Sequence, residues 1–440
     1  MTSVVYWLVA FSIVLIDLCD MLVRVAFRRS HTRPREPGRV APTSIPIARV
    51  DADSADAPVL EPYALLVSVH NLGPATAAFV EAMRPHLARL WVIDDASTDD
   101  TADRLERAGV RCIRGEINRH KPGAIRHLLT RLPAEITTVL VLDPDGVIQA
   151  PDGDRVAALE RVLLEFQVSG MAACCPRVAV RTRNVWERLQ ALEYCLSFSL
   201  GRKSLADQCI PSGFAIYRRD ALSRLLEAHS LSVYAEDLEN ALILTHHGER
   251  SYYDGRLVVE TDGKRDWPSL FSQRVGWHFG LLRVYAVHRR RIARWAATMR
   301  PLIIYQHVVY VVVLGLLLHP LRVFCLLVLL ASALNGLDNL LGASLIPDVT
   351  ATEPWRLPVA WLAYTVLTLL YLHLTVTRAE RRRVFAIVPI YFLYVLVLVV
   401  PVTIGYLNWV CVNLVGRRLY RDHFQSDASL RRAALSRARR

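Results

Sequence analysis

The sequence predicts an α/β cytoplasmic domain joined to an α-helical transmembrane region. From about Pro62 to Gly263, short apolar runs alternate with amphipathic helical patterns, and long apolar segments precede and follow that stretch. The chain has 440 residues, of which 53% are hydrophobic and 21% charged. This composition is too apolar for an ordinary soluble enzyme and too charged for a bundle of membrane helices alone. A mixed protein is therefore expected.

Residues 1–28 are predicted to form a transmembrane helix. The apolar run over residues 4–27 has about the length needed to cross a hydrocarbon core of roughly 30 Å. A secretory signal peptide is the alternative, but no positive side chain precedes the run and four arginines follow it within residues 28–35. The positive-inside rule then places the following chain in the cytoplasm. Residues 29–61, rich in Pro, Arg, Asp and Ala, predict a linker.

The α/β domain is predicted to span residues 62–282. Four apolar runs read as strands, each followed by a helical pattern: YALLVSVH, RLWVI, VRCI and TTVLVL, with helices from Pro74, Asp100, Pro122 and near Arg155. Such alternation predicts a mostly parallel sheet with helices on both faces. Ligands of open sheets bind at the carboxyl ends of the strands, so the residues that follow each strand are the first candidates for a site.

Paired carboxylates follow two of these strands. Asp94 and Asp95 close the second strand, and Asp143 and Asp145 follow the fourth. Residues two apart project to one side of an extended chain, so Asp143 and Asp145 fit a hard divalent cation whose other ligands are water and phosphate oxygens. Helix capping is the alternative for the acidic residues after the second strand, and an Asp-Pro turn is the alternative at Asp143.

Three later stretches carry further candidates. Glu236 and Asp237 begin a helix, where capping is again the alternative, and Ser212 and Gly213 precede a strand. The stretch FSQRVGWHFG contributes another set: Gln273, Arg274 and Trp277. Gln273 and Trp277 are four residues apart and share a helix face. A plain interfacial helix with Trp277 among lipid headgroups is the alternative for this stretch.

The C-terminal part predicts three further regions. Residues 283–300 form a basic amphipathic segment at the membrane surface, residues 301–416 a transmembrane region, and residues 417–440 a basic cytoplasmic tail. About five crossings are expected in all, although arginines between the last two apolar segments conflict with the charge rule. The net charge is +12, and much of the excess arginine flanks apolar segments. This distribution indicates contact with membrane lipids and no nucleic-acid partner.

Polar residues inside the apolar segments could line a path through the membrane, with helix packing as the equally plausible alternative. They are Gln306, His307, Asn335, Asp338, Asn339 and Asn408.

In order and spacing, residues 62–285 resemble the membrane-embedded family-2 glycosyltransferases, the group of the hyaluronan, cellulose, chitin-oligosaccharide and poly-N-acetylglucosamine synthases. The resemblance implies a GT-A-like nucleotide-sugar-binding domain, a Mg²⁺ or Mn²⁺ ion on Asp143 and Asp145, and Asp237 as the catalytic base. It assigns nucleotide-sugar binding to His70, Asn71, Asp94, Asp95, Lys121 and Asp143. It assigns acceptor binding to Ser212, Gly213, Glu236, Gln273, Arg274 and Trp277.

The function implied is inverting transfer from a UDP-sugar to a growing β-linked polysaccharide at the cytoplasmic face of the plasma (bacterial inner) membrane, with coupled export. The alternative is transfer of one sugar to a lipid or lipid-linked acceptor. A non-catalytic membrane protein that kept the fold for binding is a third interpretation. An accessory subunit is possible in either enzymatic case.

One position departs from the family pattern. Gly276 stands where the family's QxxRW motif has the Arg that grips the diphosphate. Arg274 points about 200° around the helix from that position, and Arg283 would help only if the helix broke or shifted. Lys264 and Arg265 are the other candidate replacements.

Overall fold

The computed structural model describes residues 16, 18–26, 59–150, 153–295, 304–341 and 356–422. These residues fall into two compact units. The sheet unit comprises the described residues within Arg28–Thr182 and Ser197–Gly263, and the helical unit those within Met1–Phe27, Arg183–Leu196 and Lys264–Arg440. The predicted domain 62–282 is thus divided between the two units.

An eight-stranded sheet forms the centre of the sheet unit, in the order β3-β2-β1-β4-β7-β6-β8-β5. The strands are β1 (Tyr63–Val69), β2 (Leu90–Asp94), β3 (Cys112–Arg114), β4 (Thr138–Leu142), β5 (Val147–Gln149), β6 (Ala173–Val180), β7 (Ala215–Arg218) and β8 (Ser251–Thr261). The four strands predicted from the apolar runs are β1 to β4, and they pair in parallel.

The prediction of a mostly parallel sheet is wrong for the other half. β6 and β8 are parallel, but β7 runs antiparallel to both β4 and β6, and β5 runs antiparallel to β8. The alternation of strand and helix patterns in the sequence predicts only the parallel connections among β1 to β4. The later strands pair over long sequence separations that no local pattern encodes.

Helices cover the sheet as predicted for an α/β domain. They are Ala75–Met83, Thr101–Arg107, His120–Leu129, Arg155–Val168, Arg219–Ala228 and Glu236–His246. A main part of the core lies where His120–Leu129 and Arg219–Ala228 pack on β1, β4 and β7, around Leu66, Leu128, Val139 and Leu225. Each such buried aliphatic side chain stabilises the fold by about 1.5–3 kcal/mol. This packing holds rigid the strands whose ends carry the predicted site.

The helical unit consists of long helices. They are Val185–Leu196, Trp267–Trp295, His319–Leu341, Arg356–Thr375 and Val388–Val415, with the short Arg378–Val384 and a π-helical stretch Tyr305–Leu317. Among the described residues, two helical stretches, Pro358–Thr375 and Arg378–Val415, are long and apolar enough to cross a membrane. Length and composition alone make this weak support for a membrane location.

Some sequence predictions differ from these elements or fall outside them. The helix Trp267–Trp295 runs without a break across the predicted boundary at residue 283 and through Gly276. Most of the N-terminal helix 1–28, of the linker and of the basic tail lies outside the described residues, as do the side chains of Asn335, Asp338 and Asn339. Asn408 accepts the backbone N–H groups of Leu419 and Tyr420, which is a packing role.

Candidate active site

The carboxyl ends of β1, β2 and β4 bring most of the predicted residues of the sheet unit to one edge. β1 lies between β2 and β4 and is parallel to both, with Val69 opposite Asp94 and Val67 opposite Leu142. The segments that follow these strands therefore leave the sheet side by side. They carry His70 and Asn71, then Asp95, then Asp143 and Asp145.

Asp94 and Asp95 are buried polar residues at the end of β2, 4% and 2% exposed. The carboxylate of Asp95 accepts the backbone N–H of Arg119 at 2.8 and 2.9 Å, and Asp94 accepts the hydroxyl of Ser97. Burial raises the pKa of Asp95, and the Arg119 N–H opposes that shift. The two carboxylates hold the loops after β2 and β3 together, and little of their own surface is exposed to solvent.

His70 and Asn71 are exposed beside that pair. The ring Nδ1 of His70 lies 3.1 Å from the carbonyl oxygen of Asp95. Asn71 has a positive φ of 53°, a conformation that asparagine tolerates better than most residues. Its side-chain oxygen accepts the N–H of Thr98 at 2.8 Å and its own N–H donates to Ser97 Oγ at 2.8 Å. The backbone is thereby fixed while both side chains stay accessible to a ligand.

Lys121 reaches from the start of the helix His120–Leu129 to the end of β4. Its Nζ donates to Asp143 Oδ1 at 2.5 Å and to the carbonyl oxygen of Gly213 at 2.7 Å, and lies 4.0 Å from Glu236 Oε1. A Cβ at Gly213 would come within 2.9 Å of Asp143 Oδ2. Glycine therefore keeps the second oxygen of Asp143 accessible.

Asp145 is held by the end of β8. Its Oδ2 accepts the Thr261 hydroxyl at 2.7 Å and the backbone N–H of Asp262 at 3.1 Å. Burial raises the pKa of this carboxyl, and the charge of Asp143 adds to the shift. Both hydrogen bonds fall on Oδ2, so Oδ1 is the oxygen positioned to bind a further ligand.

The residues present fit a hard divalent cation. The donors are carboxylate oxygens, and the absence of a Cβ at Gly213 leaves Oδ2 of Asp143 accessible to a ligand. Within the described ranges, no group of three or more His, Cys, Asp or Glu side chains is arranged to hold a metal ion. Asp143 and Asp145 would therefore share the ion with water and phosphate oxygens.

Glu236 and Asp237 begin the helix Glu236–His246, after Ala235 at a positive φ of 52°. Burial raises the pKa of Glu236 to about 7, against the lowering effect of Lys121 and with a further rise from Asp237. Asp237 is about one-third exposed, and its Oδ2 lies 3.4 Å from Nη2 of Arg202. An accessible carboxylate next to the Lys121–Asp143 pair is the arrangement that a general base requires.

Ser212 is used within its own turn. Its buried hydroxyl donates to the carbonyl oxygen of Phe214 at 2.5 Å and accepts the Phe214 N–H at 3.2 Å. The contact of Ser212 with an acceptor stays a prediction, and the structure gives it a role in shaping the loop that carries Gly213.

Sequence reasoning missed three residues of this edge. Arg202 contacts Asp237, Thr261 bonds Asp145, and Arg181 donates to the carbonyl oxygen of Asp145 at 3.4 Å while pairing with Asp262 at 2.5 Å. The run TDGKR after β8 was the available signal for Thr261 and Asp262, because it is polar and follows a strand. Nothing in the sequence around Arg202 distinguishes it from other arginines.

Gln273, Arg274 and Trp277 lie in the helical unit, on Trp267–Trp295. Arg274 is 2% exposed; its Nη2 donates to Glu193 at 2.6 Å and its guanidinium lies over the Trp277 ring, 4.1 Å from the centroid. Arg274 Nε and Nη1 and Gln273 Oε1 are buried and bond no described residue. Their acceptor-binding role stays a prediction, and Arg274 covers one face of the Trp277 ring.

The candidate replacements for the missing Arg also lie in the helical unit. The backbone N–H of Lys264 donates to Gln190, and the exposed Arg265 lies 3.8 Å from Glu187. Because the helix is continuous through Gly276 and Gly280, the break that Arg283 would need does not occur.

Comparison with known proteins gives one family match. Residues 65–226 match the family model described as glycosyl transferase family 2, a range that includes β1 to β4, Lys121 and both aspartates of the proposed metal pair. No curated protein sequence matches the chain at a significant level.

Several solved structures are similar to the chain at low sequence identity. The mannosyltransferase PcManGT from Pyrobaculum calidifontis, in complex with GDP-Man and Mn²⁺, is 15% identical over 91% of this chain and 99% of its own, with a TM-score of 0.48. GalNAc-T7 with UDP, GalNAc and Mn²⁺ is 15% identical over 52% of this chain and 48% of its own, with a TM-score of 0.35.

A third solved structure is similar over a comparable range. Glucosyl-3-phosphoglycerate synthase from Mycobacterium tuberculosis, with Mn²⁺, UDP and phosphoglyceric acid, is 17% identical over 57% of this chain and 84% of its own, with a TM-score of 0.35. The family match and the strand-end carboxylates agree on the same segment of the sheet unit. Residues 65–226 are therefore similar to a glycosyl transferase family 2 domain, and the protein is a glycosyltransferase.

Proposed function

We propose that this glycosyltransferase moves a sugar from a UDP-sugar to an acceptor hydroxyl in one displacement with inversion at the anomeric carbon. The observation that carries the proposal is the convergence of Asp143, Lys121 and Glu236, with Asp237 beside it, at one edge of the sheet. One cation and several carboxylates within a few ångströms suit a diphosphate leaving group and a single base.

The reaction assigns a distinct role to each group. Asp237 accepts the proton of the acceptor hydroxyl as its oxygen bonds to the anomeric carbon, and the bond from that carbon to the diphosphate oxygen breaks. Lys121 contributes positive charge near the departing diphosphate. A Mn²⁺ or Mg²⁺ ion on Asp143 and Asp145 would neutralise the charge that develops on the diphosphate. No covalent intermediate is required, since one displacement inverts the centre.

The nucleoside half of the donor is proposed to bind beside His70 and Asn71. These residues are exposed and their backbone is fixed by Ser97 and Thr98. Asp94 and Asp95 lie beneath them and orient the loops. A pre-ordered, accessible edge binds a planar base at lower conformational cost than a mobile loop.

The proposed acceptor is a growing β-linked polysaccharide, and the proposed location is the plasma (bacterial inner) membrane with the sheet unit in the cytoplasm. Support for the membrane comes from the helices Arg356–Thr375 and Val388–Val415, which expose large apolar side chains. Examples are Leu362, Val366, Leu393 and Leu414. Membrane lipids would cover such surfaces, and an accessory subunit is compatible with them.

A second candidate is transfer of one sugar to a lipid or lipid-linked acceptor. Two observations favour it: Gly276 replaces the Arg of the family's motif, and Arg274 covers one face of Trp277, which reduces the ring surface that a polymer could stack on. In both cases Asp237 would accept the proton of the acceptor hydroxyl.

Product sizing separates the two candidates. The purified full-length chain in lipid nanodiscs, incubated with Mn²⁺ and a panel of radiolabelled UDP-sugars, is expected to give a high-molecular-weight product from one donor. One labelled sugar per lipid molecule would instead establish the second candidate. No transfer from any UDP-sugar, under conditions where UDP binds, would contradict both.

A further inference from the structure

Arg202 is a partly buried cation that contacts the proposed base. It ends the π-helical turn Ser197–Arg202, and its side chain is 16% exposed. Nη2 lies 3.4 Å from Asp237 Oδ2, and Nη1 donates to the carbonyl oxygens of Pro211, at 3.1 Å, and Ile210. The guanidinium also lies over the Phe198 ring, 4.5 Å from the centroid, which fixes its plane. π-helical turns are frequent at functional sites.

These contacts join the two parts of the site. Pro211 directly precedes Ser212 and Gly213, and the carbonyl oxygen of Gly213 accepts Lys121 Nζ, which in turn bonds Asp143. Asp237 stands at the start of a separate helix. One guanidinium thus connects the loop beside the proposed diphosphate site to the carboxylate of the proposed base.

We propose that Arg202 is the positioning residue for Asp237: it orients the carboxylate for proton transfer from the acceptor. This inference rests on the proposed function. A general base must lie within hydrogen-bond reach of the proton that it takes, and a guanidinium at hydrogen-bond distance fixes the direction of a carboxylate. The two carbonyl bonds hold the guanidinium in place, so the direction that it gives to the carboxylate is fixed as well.

Other charged or titratable groups also act on Asp237, namely Lys121, Glu236 and Tyr217. Lys121 donates to Asp143 and to Gly213, so its contacts lie on the donor side of the site. Glu236 is acidic and repels its neighbour. Arg202 is therefore the cation whose direct contact with Asp237 sets the direction of the carboxylate.

A purely structural role for Arg202 makes a different prediction, because hydrogen bonds to backbone carbonyls stabilise the fold without affecting proton transfer to Asp237. Arg219 offers the matched control. It is another arginine of the sheet unit whose guanidinium donates to backbone carbonyls, those of Leu129, Leu132, Pro133 and Ile136. Its variants should lose stability without altering proton transfer.

The test is a comparison of kcat and the donor KM for sugar transfer by the full-length chain in nanodiscs, measured for wild type, Arg202→Met, Arg202→Gln, Arg202→Lys and Arg219→Met. Loss of the guanidinium should lower kcat by about tenfold or more in Arg202→Met and Arg202→Gln and leave the donor KM within about threefold of wild type, because a misdirected base takes the proton less readily. Arg202→Lys should retain most of the wild-type kcat. UDP affinity by calorimetry should change less than about threefold, since Asp143 and Lys121 are intact.

Wild-type kcat in both neutral variants would overturn this inference and leave the proposed function standing. An equal fall of kcat in Arg219→Met would also overturn it, because the effect would then follow from lost stability. If Arg202→Met does not fold, Arg202→Gln, which can still donate to the carbonyls, decides the outcome. Absence of transfer by the wild type would contradict the proposed function and this inference together.

Discussion

Lys121 Nζ lies 2.5 Å from Asp143 Oδ1, across 22 residues of sequence. Burial acts to lower the pKa of Lys121, but the charges of Asp143 and Glu236 outweigh it and the pKa is raised. The ammonium is therefore charged at neutral pH and lies beside the carboxylate proposed to bind the metal. A donor diphosphate entering this edge would meet a positive charge that is already in place.

Lys121→Met is expected to weaken UDP binding by roughly 10- to 100-fold, because a charge-assisted hydrogen bond contributes about 1.5–3 kcal/mol. Calorimetric titration with UDP in the presence of Mn²⁺ measures the change. The matched control is Arg104→Met, which removes an exposed cation paired with Asp100 and should leave UDP affinity unchanged. Equal affinities for Lys121→Met and wild type would place the diphosphate elsewhere.

Asp145→Asn is expected to raise the Mn²⁺ concentration for half-maximal activity by about tenfold or more, since a neutral amide is a poorer ligand for a hard cation. A Mn²⁺ titration after removal of bound metal with EDTA gives this value. Asp154→Asn is the control: Asp154 caps the helix Arg155–Val168 through the N–H groups of Val156 and Ala157. Full activity of the wild type in EDTA would contradict a metal role for Asp143 and Asp145.

Glu236 should make stability depend on pH. Its pKa is raised by burial to about 7, above the ordinary value near 4.5, so the folded protein holds this proton more tightly than the unfolded chain. The resulting stabilisation is present in full below about pH 4.5 and is lost as the pH rises through about 7. Glu236→Gln should remove this contribution to the slope of the melting temperature against pH, measured by thermal unfolding between pH 5 and 8.

The control for the stability measurement is Glu81→Gln, because Glu81 pairs with Arg84 on the surface, where both side chains are about two-thirds exposed. Glu81→Gln should retain the wild-type slope. If the slope of Glu236→Gln equalled that of wild type, Glu236 would not be the group that titrates near neutrality.

The parallel half of the sheet could be predicted from the sequence because that half follows local rules. Strands β1, β2 and β4 are apolar runs bounded by polar residues, and the carboxyl ends of parallel strands share an edge. This suffices to group Asn71, Asp95 and Asp143. The observed helices that carry Lys121 and Asp237 begin within a few residues of the starts predicted from the sequence pattern.

The antiparallel half could not be predicted from local pattern. Thr261 reaches Asp145 across 116 residues, and Arg202 reaches Asp237 across 35, through pairings of β6, β7 and β8 that leave no periodic signal. Arginine is also common in this sequence beside apolar segments, so residue type alone does not mark Arg202. The burial of Arg274 against Glu193 has the same cause, since the two lie 81 residues apart.

Gly213→Ala tests the close approach at the end of β4. A Cβ would lie 2.9 Å from Asp143 Oδ2 and 3.2 Å from Lys121 Nζ, so both side-chain ends must move. The fold should tolerate this, because those ends are the tips of side chains, but the Mn²⁺ requirement and the KM for the donor should both rise. Unchanged values for both would show that the second oxygen of Asp143 takes no part in binding.

The most direct test of the account is turnover by Asp237→Asn, measured together with UDP binding. Asparagine keeps the shape of the side chain but cannot accept the acceptor proton. We expect kcat to fall by about 10² to 10⁴-fold while the dissociation constant for UDP stays within about threefold of wild type. Retention of wild-type turnover by Asp237→Asn would contradict the assignment of Asp237 as the base.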